Sequence, residues 1–261
     1  MRSLFIAATG MHAQQLNVEV ISNNIANVTT TGFKRQRAEF HDLLYQEFRR
    51  VGSPSTDNNT VIPAGVQVGL GVKPAAVYRI HEQGNFIKTD NDLDVAIQGR
   101  GFLNVQLPNG QTAYTRAGNF GLNAAGTIVT PDGFTVLPTI TVPNNAIDIT
   151  INASGQVLAS IDGQVAQSNL GQFTMTTFVN QAGLQAIGDN LYLESEASGG
   201  AITGLPGQPG FGTILQGFLE ASNVNVVNEI TGLITAQRTF EMNSQVIQAS
   251  DEMMRTVSNL R

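Results

Sequence analysis

Apolar residues along this chain follow two different periods. At the C-terminal end Val226, Leu233, Phe240, Ile247 and Met254 recur every seven residues, with Val246, Met253 and Leu260 in a second row beside them. That spacing predicts a helix whose apolar seam faces other helices. The N-terminal end has the same period in Leu4, Met11, Val18 and Ile25, with the small or polar Ala8, Gln15 and Ser22 at companion positions. Two helices with narrow seams cannot bury both faces inside one small domain, so a partner or a second copy is expected.

The first helix is predicted over residues 3–27, with Ser3 as its N-cap and the run VTTTG at 28–32 as its stop. It would be roughly 38 Å long, and a second helix, capped by Ser222 or Asn223 and ending near residue 258, roughly 54 Å. Residues 33–48 are mixed and read as helical around Phe40, Leu43 and Leu44. Residues 52–71 carry Pro54, Pro63 and alternating glycines, which predicts an extended arm or hairpin.

From about residue 75 to 219 the alternating period of strands takes over. Residues 102–107 meet 112–116 across Pro108-Asn109-Gly110, a strong turn signal. By the same grammar 120–122 pairs with 127–130 and Pro131-Asp132-Gly133 turns again. Residues 147–151 pair with 157–161, and Asp162-Gly163 turns into Val165. Further strands fit 173–178 and 191–194, while the Gly/Pro-rich 198–212 reads as a surface loop. The fold class is α+β, with long N- and C-terminal helices packed in a coiled-coil-like way and a mainly antiparallel β central domain. The domains expected are 1–32 with 222–261, a connecting segment at 33–74, and the β-domain at 75–221.

Composition narrows the function. The 261 residues carry a net charge of -6, only 13% charged side chains, and no Cys or Trp. A basic face able to neutralise phosphates is missing, which argues against nucleic acid. The Lys34, Arg35, Arg37 cluster reads as an ordinary solvated face. A chain without cysteine has no disulfide scaffold and no thiol nucleophile, and fits either an oxidising compartment or the cytosol. No apolar run approaches the roughly 20 residues that span a bilayer, so no membrane insertion is expected. The start, Met1-Arg2-Ser3-Leu4, opens into an amphipathic pattern with no h-region, so no cleaved signal peptide is expected.

Candidate chemistry is thin, and no catalytic, cofactor or metal residue is assigned. His12, His41 and His81 lie far apart and read as structural or solvated. Asp90-Asn91-Asp92-Leu93-Asp94 resembles the opening of a calcium loop but has Val95 at the sixth place and Gly101 at the twelfth. A turn into a strand at 95–97 is the plainer reading. A rival class, a secreted β-sandwich enzyme or carbohydrate-binding module, would use Tyr114, Phe120 and Tyr192 as stacking aromatics.

Longer motifs carry a resemblance. Residues 22–34, SNNIANVTTTGFK, include Asn23, Asn24, Asn27, Gly32, Phe33 and Lys34. They resemble the N-terminal signature of bacterial flagellar rod and hook proteins. LEASNV at 219–224, with Ser222, Asn223 and Val224, resembles their C-terminal signature. DVAIQGRGF at 94–102 and AYTRAGNF at 113–120 resemble their shared β-domain. The likeness runs in order over nearly the whole chain. Its departures are small: Phe240 stands where a Tyr is common, and Asn123 where an Asp is common. The stretch from Leu44 to Val72 is similar to the segment that marks the distal-rod branch of the family; proximal rod and hook-type subunits are the alternatives.

The resemblance implies a structural subunit of the flagellar basal body that self-assembles into a helical tube, a drive shaft carrying torque from motor to hook. The terminal helices would form the inner layer around a channel, and the β-domain would lie outside. Leu4, Met11, Val18, Ile25, Val226, Leu233, Phe240, Ile247 and Met254 would then be assembly residues. Implied partners are further copies of the chain, proximal rod and hook subunits at the ends of the rod, and surrounding ring proteins acting as a bushing. Export through the flagellar type III apparatus, uncleaved, would deliver the subunit to a rod crossing the periplasm. Phe40 and Leu44 fit an aromatic-x-x-x-apolar pattern that would dock at the export gate or, equally, pack against the neighbouring arm.

Overall fold

A computed structural model describes residues 2–49, 64–164 and 166–259. The chain divides into two compact units. The first comprises Met1–Ile25, Gln36–Tyr78 and Asn225–Arg261, the second Ala26–Arg35 and Arg79–Val224. The class is α+β, as expected: two helices at the ends and a region of mainly antiparallel strands between them.

In the first unit α1 spans Arg2–Ala26 and α2 spans Val226–Asn259. Ser3 lies inside α1 and does not cap it. At α2 the expected cap is displaced as well. Asn225 is the capping residue, its side-chain oxygen accepting from the Val227 and Asn228 amides at 3.1 and 3.3 Å. Asn223 is committed elsewhere, as described below. The expected helical turn near Phe40 is absent. Residues 36–49 form two strands, β1 (Gln36–Asp42) and β2 (Tyr45–Arg49), which pair with β4 (Val72–Arg79) and β3 (Val66–Gly69) respectively. The Leu43 amide donates to Gly71 and the Leu70 amide to Leu44, so the two pairs form one continuous ribbon. Cross-strand pairing wins over the short apolar spacing at 40, 43 and 44, too brief to sustain a helix alone. The arm expected at 52–71 contributes β3 to this ribbon; its residues up to 63 lie outside those described, as do Val165 and Leu260.

The second unit is built on the strand Phe102–Gln106, whose two faces feed two cores. Leu103 joins Val95, Ile97, Phe173, Met175 and Ile214 in the larger cluster, while Phe102 joins Tyr114, Phe178, Leu184 and Tyr192 in the smaller. This is the period of two expected of a strand buried on both sides. The hairpin to Thr112–Thr115 is in place, with Leu103 opposite Thr115, and so is the pairing of Ala146–Ile151 with Gln156–Ile161. The expected loop at 198–212 contains a short strand, Ile202–Gly204, paired with Met175–Thr177. Gly/Pro content concealed it. The rival reading of Tyr114, Phe120 and Tyr192 as exposed stacking aromatics fails, because all three are buried core residues.

Candidate assembly surface and charged clasp

The two terminal helices meet along a line of mostly small and polar side chains. Ser3 Oγ lies 3.2 Å from Ser250 Oγ. One heptad further on, a β-carbon placed on Gly10 would come within 3.0 Å of the Asn243 side chain, and one on Gly232 within 3.4 Å of Ile21. Asn24 Nδ2 donates to Glu229 Oε2 at 3.2 Å. As the α1 positions rise the α2 positions fall, so the helices run antiparallel. Small residues on this line let the helices approach closely. Asn24 fixes the end of the pair: its carbonyl accepts from the Gln36 amide and its amide donates to the Gln36 carbonyl, both at 2.8 Å.

The heptad rows read from the sequence flank that line. Leu4, Met11, Val18, Ile25, Leu233, Ile247 and Met254 are half-buried, and Val226 and Phe240 are exposed. Val18 and Phe240 line an open groove of about 550 Å³, with Gln15, Glu19, Gln237 and Glu241 as its polar rim. Several other apolar side chains of α2 are more open still. Val227 is 71% exposed and Met253 60%, with Ile230, Ile234, Met242 and Val246 between them in the same state. Phe40 on β1 is half-buried, and Leu44, between β1 and β2, is 82% exposed.

The motif residues at 31–34 and 220–223 belong to the second unit, where they form a clasp that sequence reasoning missed. Lys34 is 1% exposed, not part of a solvated face. Its Nζ donates to Glu220 Oε1 at 2.5 Å and to the Glu82 carbonyl at 2.7 Å. Glu220, fully buried, also accepts from the Gly84 amide at 3.0 Å and stands 3.0 Å from Arg116 Nε. Arg116 in turn donates through Nη1 to the Gly99 and Gly101 carbonyls, both at 2.8 Å. Two buried cations thus share one carboxylate, and three backbone carbonyls answer the remaining positive charge. Burial pushes the Lys34 ammonium below its ordinary pKa, partly against the attraction of Glu220 and with help from Arg116.

Asn223 stitches three segments together. Its side-chain oxygen accepts from the Arg35 amide at 2.7 Å, and its Nδ2 donates to the Ile80 and Glu82 carbonyls. Gly32 adds a bond from its amide to the Glu220 carbonyl at 2.8 Å. It has φ +70°, and a β-carbon there would lie 2.8 Å from the Ala117 nitrogen, so glycine is required. Phe33 is buried beside it, Ser222 Oγ accepts from the Val224 amide at 3.3 Å, and Asn23 is exposed on α1. Asn27 accepts from Thr30 in the turn that ends α1. The expected turn at 90–94 is present, with Asn91 donating to Asp94 at 2.9 Å ahead of the strand Val95–Gln98.

A chain fastened at both ends of its β unit, with apolar helical rows left open, defines a structural subunit of an assembly, and comparison with known proteins identifies which. Family models match at three places: the flagella basal body rod protein at residues 4–34, the flagellar hook protein FlgE/F/G D1 domain at 96–159, and the flagellar basal body rod FlgEFG protein C-terminal region at 215–260. Over its full length the chain is 59% identical to the flagellar basal-body rod protein FlgG of Caulobacter vibrioides, with all of both chains covered. It is 53% identical to that of Agrobacterium fabrum, over 99% of this chain and 98% of the other, and 40% identical to that of Bacillus subtilis, over 100% and 99%. The chain belongs to the FlgG family of flagellar basal-body rod proteins. It is a structural rod subunit of the flagellar basal body, from a family of structural proteins and not of enzymes.

Proposed function

We infer that the chain forms the distal part of the rod, a helical drive shaft whose inner layer is made by the terminal helices. The observation that carries this reading is the open apolar surface of α2. The antiparallel pair closes through its small and polar line, which leaves Phe240, Val246 and Met253 on its flanks in water. Contiguous apolar surface of that kind marks a protein interface. Coiled-coil-like packing of each pair against the pairs of neighbouring copies would cover it, each large side chain contributing about 2 kcal/mol. A head-to-tail contact that does not close into a ring then propagates as a tube. Torque would pass through many such contacts in parallel.

Assignment to the distal rod rests on the 44–72 stretch, and the paired β2 and β3 there suit an arm that braces neighbouring copies. Proximal rod and hook subunits would meet the two ends of the tube, and ring proteins would surround it as it crosses the periplasm. The low charge of the chain would limit ionic attachment to that wall. Phe40 and Leu44 are proposed to dock the unfolded subunit at the type III export gate. Glutamate at both Val18 and Phe240 tests the central reading. Secreted subunit that fails to build a rod supports it, and normal motility contradicts it.

A further inference from the structure

His81 stands between two backbone groups that hold the clasp. The carbonyls of Ile80 and Glu82 both accept from Asn223, and that of Glu82 also accepts from Lys34. The imidazole is boxed by aromatic edges, its centroid 5.7 Å from Phe102 and 5.6 Å from Tyr192. Nδ1 is buried without a hydrogen-bond partner, and the ring bonds the Gln181 backbone. The charges facing it come from every side. Lys34 belongs to the 26–35 segment, Arg79 to the end of β4, and Arg116 follows the strand Thr112–Thr115. The Arg79 and Arg116 guanidinium groups lie 5.8 and 5.9 Å from the Tyr192 and Phe102 ring centroids, the same rings that enclose His81. Glu220 is the buried carboxylate of the cluster and is already shared by Lys34, Arg116 and the Gly84 amide. The Tyr192 phenol stays uncharged, its pKa raised by burial, and the Glu82 side chain is exposed.

We propose that His81 is a proton-operated latch on this clasp: a proton on Nδ1 finds no acceptor, adds a cation beside Lys34, Arg116 and Arg79, and makes residues 80–82 release Lys34 and Asn223. The sign follows from linkage. Burial first, then Lys34, Arg116 and Arg79, hold the imidazole neutral and lower its pKa from 6.5 to about 4. A folded-state value below the unfolded one means that the contribution is complete above pH 6.5 and drains away as the pH falls towards 4. The clasp is therefore closed at neutral pH and opens in acid, loosening the chain segments that lead into both terminal helices.

Chemical denaturation of the full chain at pH 7.5 and pH 4.5 tests this, with wild type beside His81→Phe, which keeps an aromatic ring but cannot take up a proton. Acidification should lower the wild-type folding constant on the order of 50- to 100-fold more than that of the variant. Equal losses in the two proteins overturn the latch. Hydrogen exchange on the wild type, corrected for intrinsic rate, gives a second arm that needs no variant. The Gly32, Arg35, Ile80 and Gly84 amides, all donors across the clasp, should lose protection between pH 6 and 4 before the strand Phe102–Gln106 does. Protection retained at those amides through pH 4 overturns it equally.

Discussion

Lys34 Nζ lies 2.5 Å from a carboxylate oxygen of Glu220, a residue 186 positions further along the chain, and neither side chain reaches solvent. The pair joins the segment that follows α1 to the segment that precedes α2, inside the β-rich unit. Breaking one side of a buried ion pair leaves an uncompensated charge, which costs about 3–5 kcal/mol. Glu220→Gln should destabilise the protein by that amount in chemical denaturation, because both Lys34 and Arg116 lose their counter-charge. Combining it with Lys34→Met should recover part of the loss, since one stranded cation is then removed.

Gly32 is expected to tolerate no side chain. Its left-handed backbone alone costs about 1 kcal/mol for alanine, and the added carbon would press on the backbone of Ala117 at 2.8 Å. Gly32→Ala should therefore lower the thermal midpoint and weaken the bond to the Glu220 carbonyl, readable as faster exchange of the residue-32 amide. A midpoint equal to wild type would show that the 116–117 turn yields freely.

Asn24 tests the helix pair within its own unit. Asn24→Ala removes both bonds to the Gln36 backbone and the bond to Glu229. At about 1 kcal/mol for each bond, with more for buried groups left unsatisfied, the expected loss is about 2–4 kcal/mol. Circular dichroism of the full chain should show it as earlier melting of the helical signal. A Glu229→Gln background should shrink the effect of Asn24→Ala, because part of the loss is the Asn24–Glu229 bond itself.

The helices were legible because a period of seven needs no tertiary information, and the 102–116 hairpin because Asn109-Gly110 is turn chemistry in its own right. The ribbon at 36–49 was not. β1 alternates only weakly, half-buried at Gln36, Ala38 and Phe40, and β2 is exposed throughout, so neither shows a strong strand pattern without its partner. The cap at Asn225 was hidden because three polar residues, Ser222, Asn223 and Asn225, compete locally, and long-range bonds decide among them. Lys34 shows the limit most sharply. Beside Arg35 and Arg37 it reads as surface charge, and only the fold brings Glu220 and the Glu82 carbonyl to it. Glu220 carried a weak signal, a lone carboxylate within the LEASNV motif, but nothing in sequence separates it from a solvated one.

Electron cryo-microscopy of the concentrated full-length protein, beside the Val18→Glu, Phe240→Glu double variant, tests the central claim that the open helical rows build the rod. Straight helical tubes are expected from the wild type, with α1 and α2 innermost and the Val18–Phe240 groove filled by a neighbouring copy, and no tubes from the variant. Tubes formed equally well by both proteins, or tubes in which the helices lie outside the wall contacts, would contradict it.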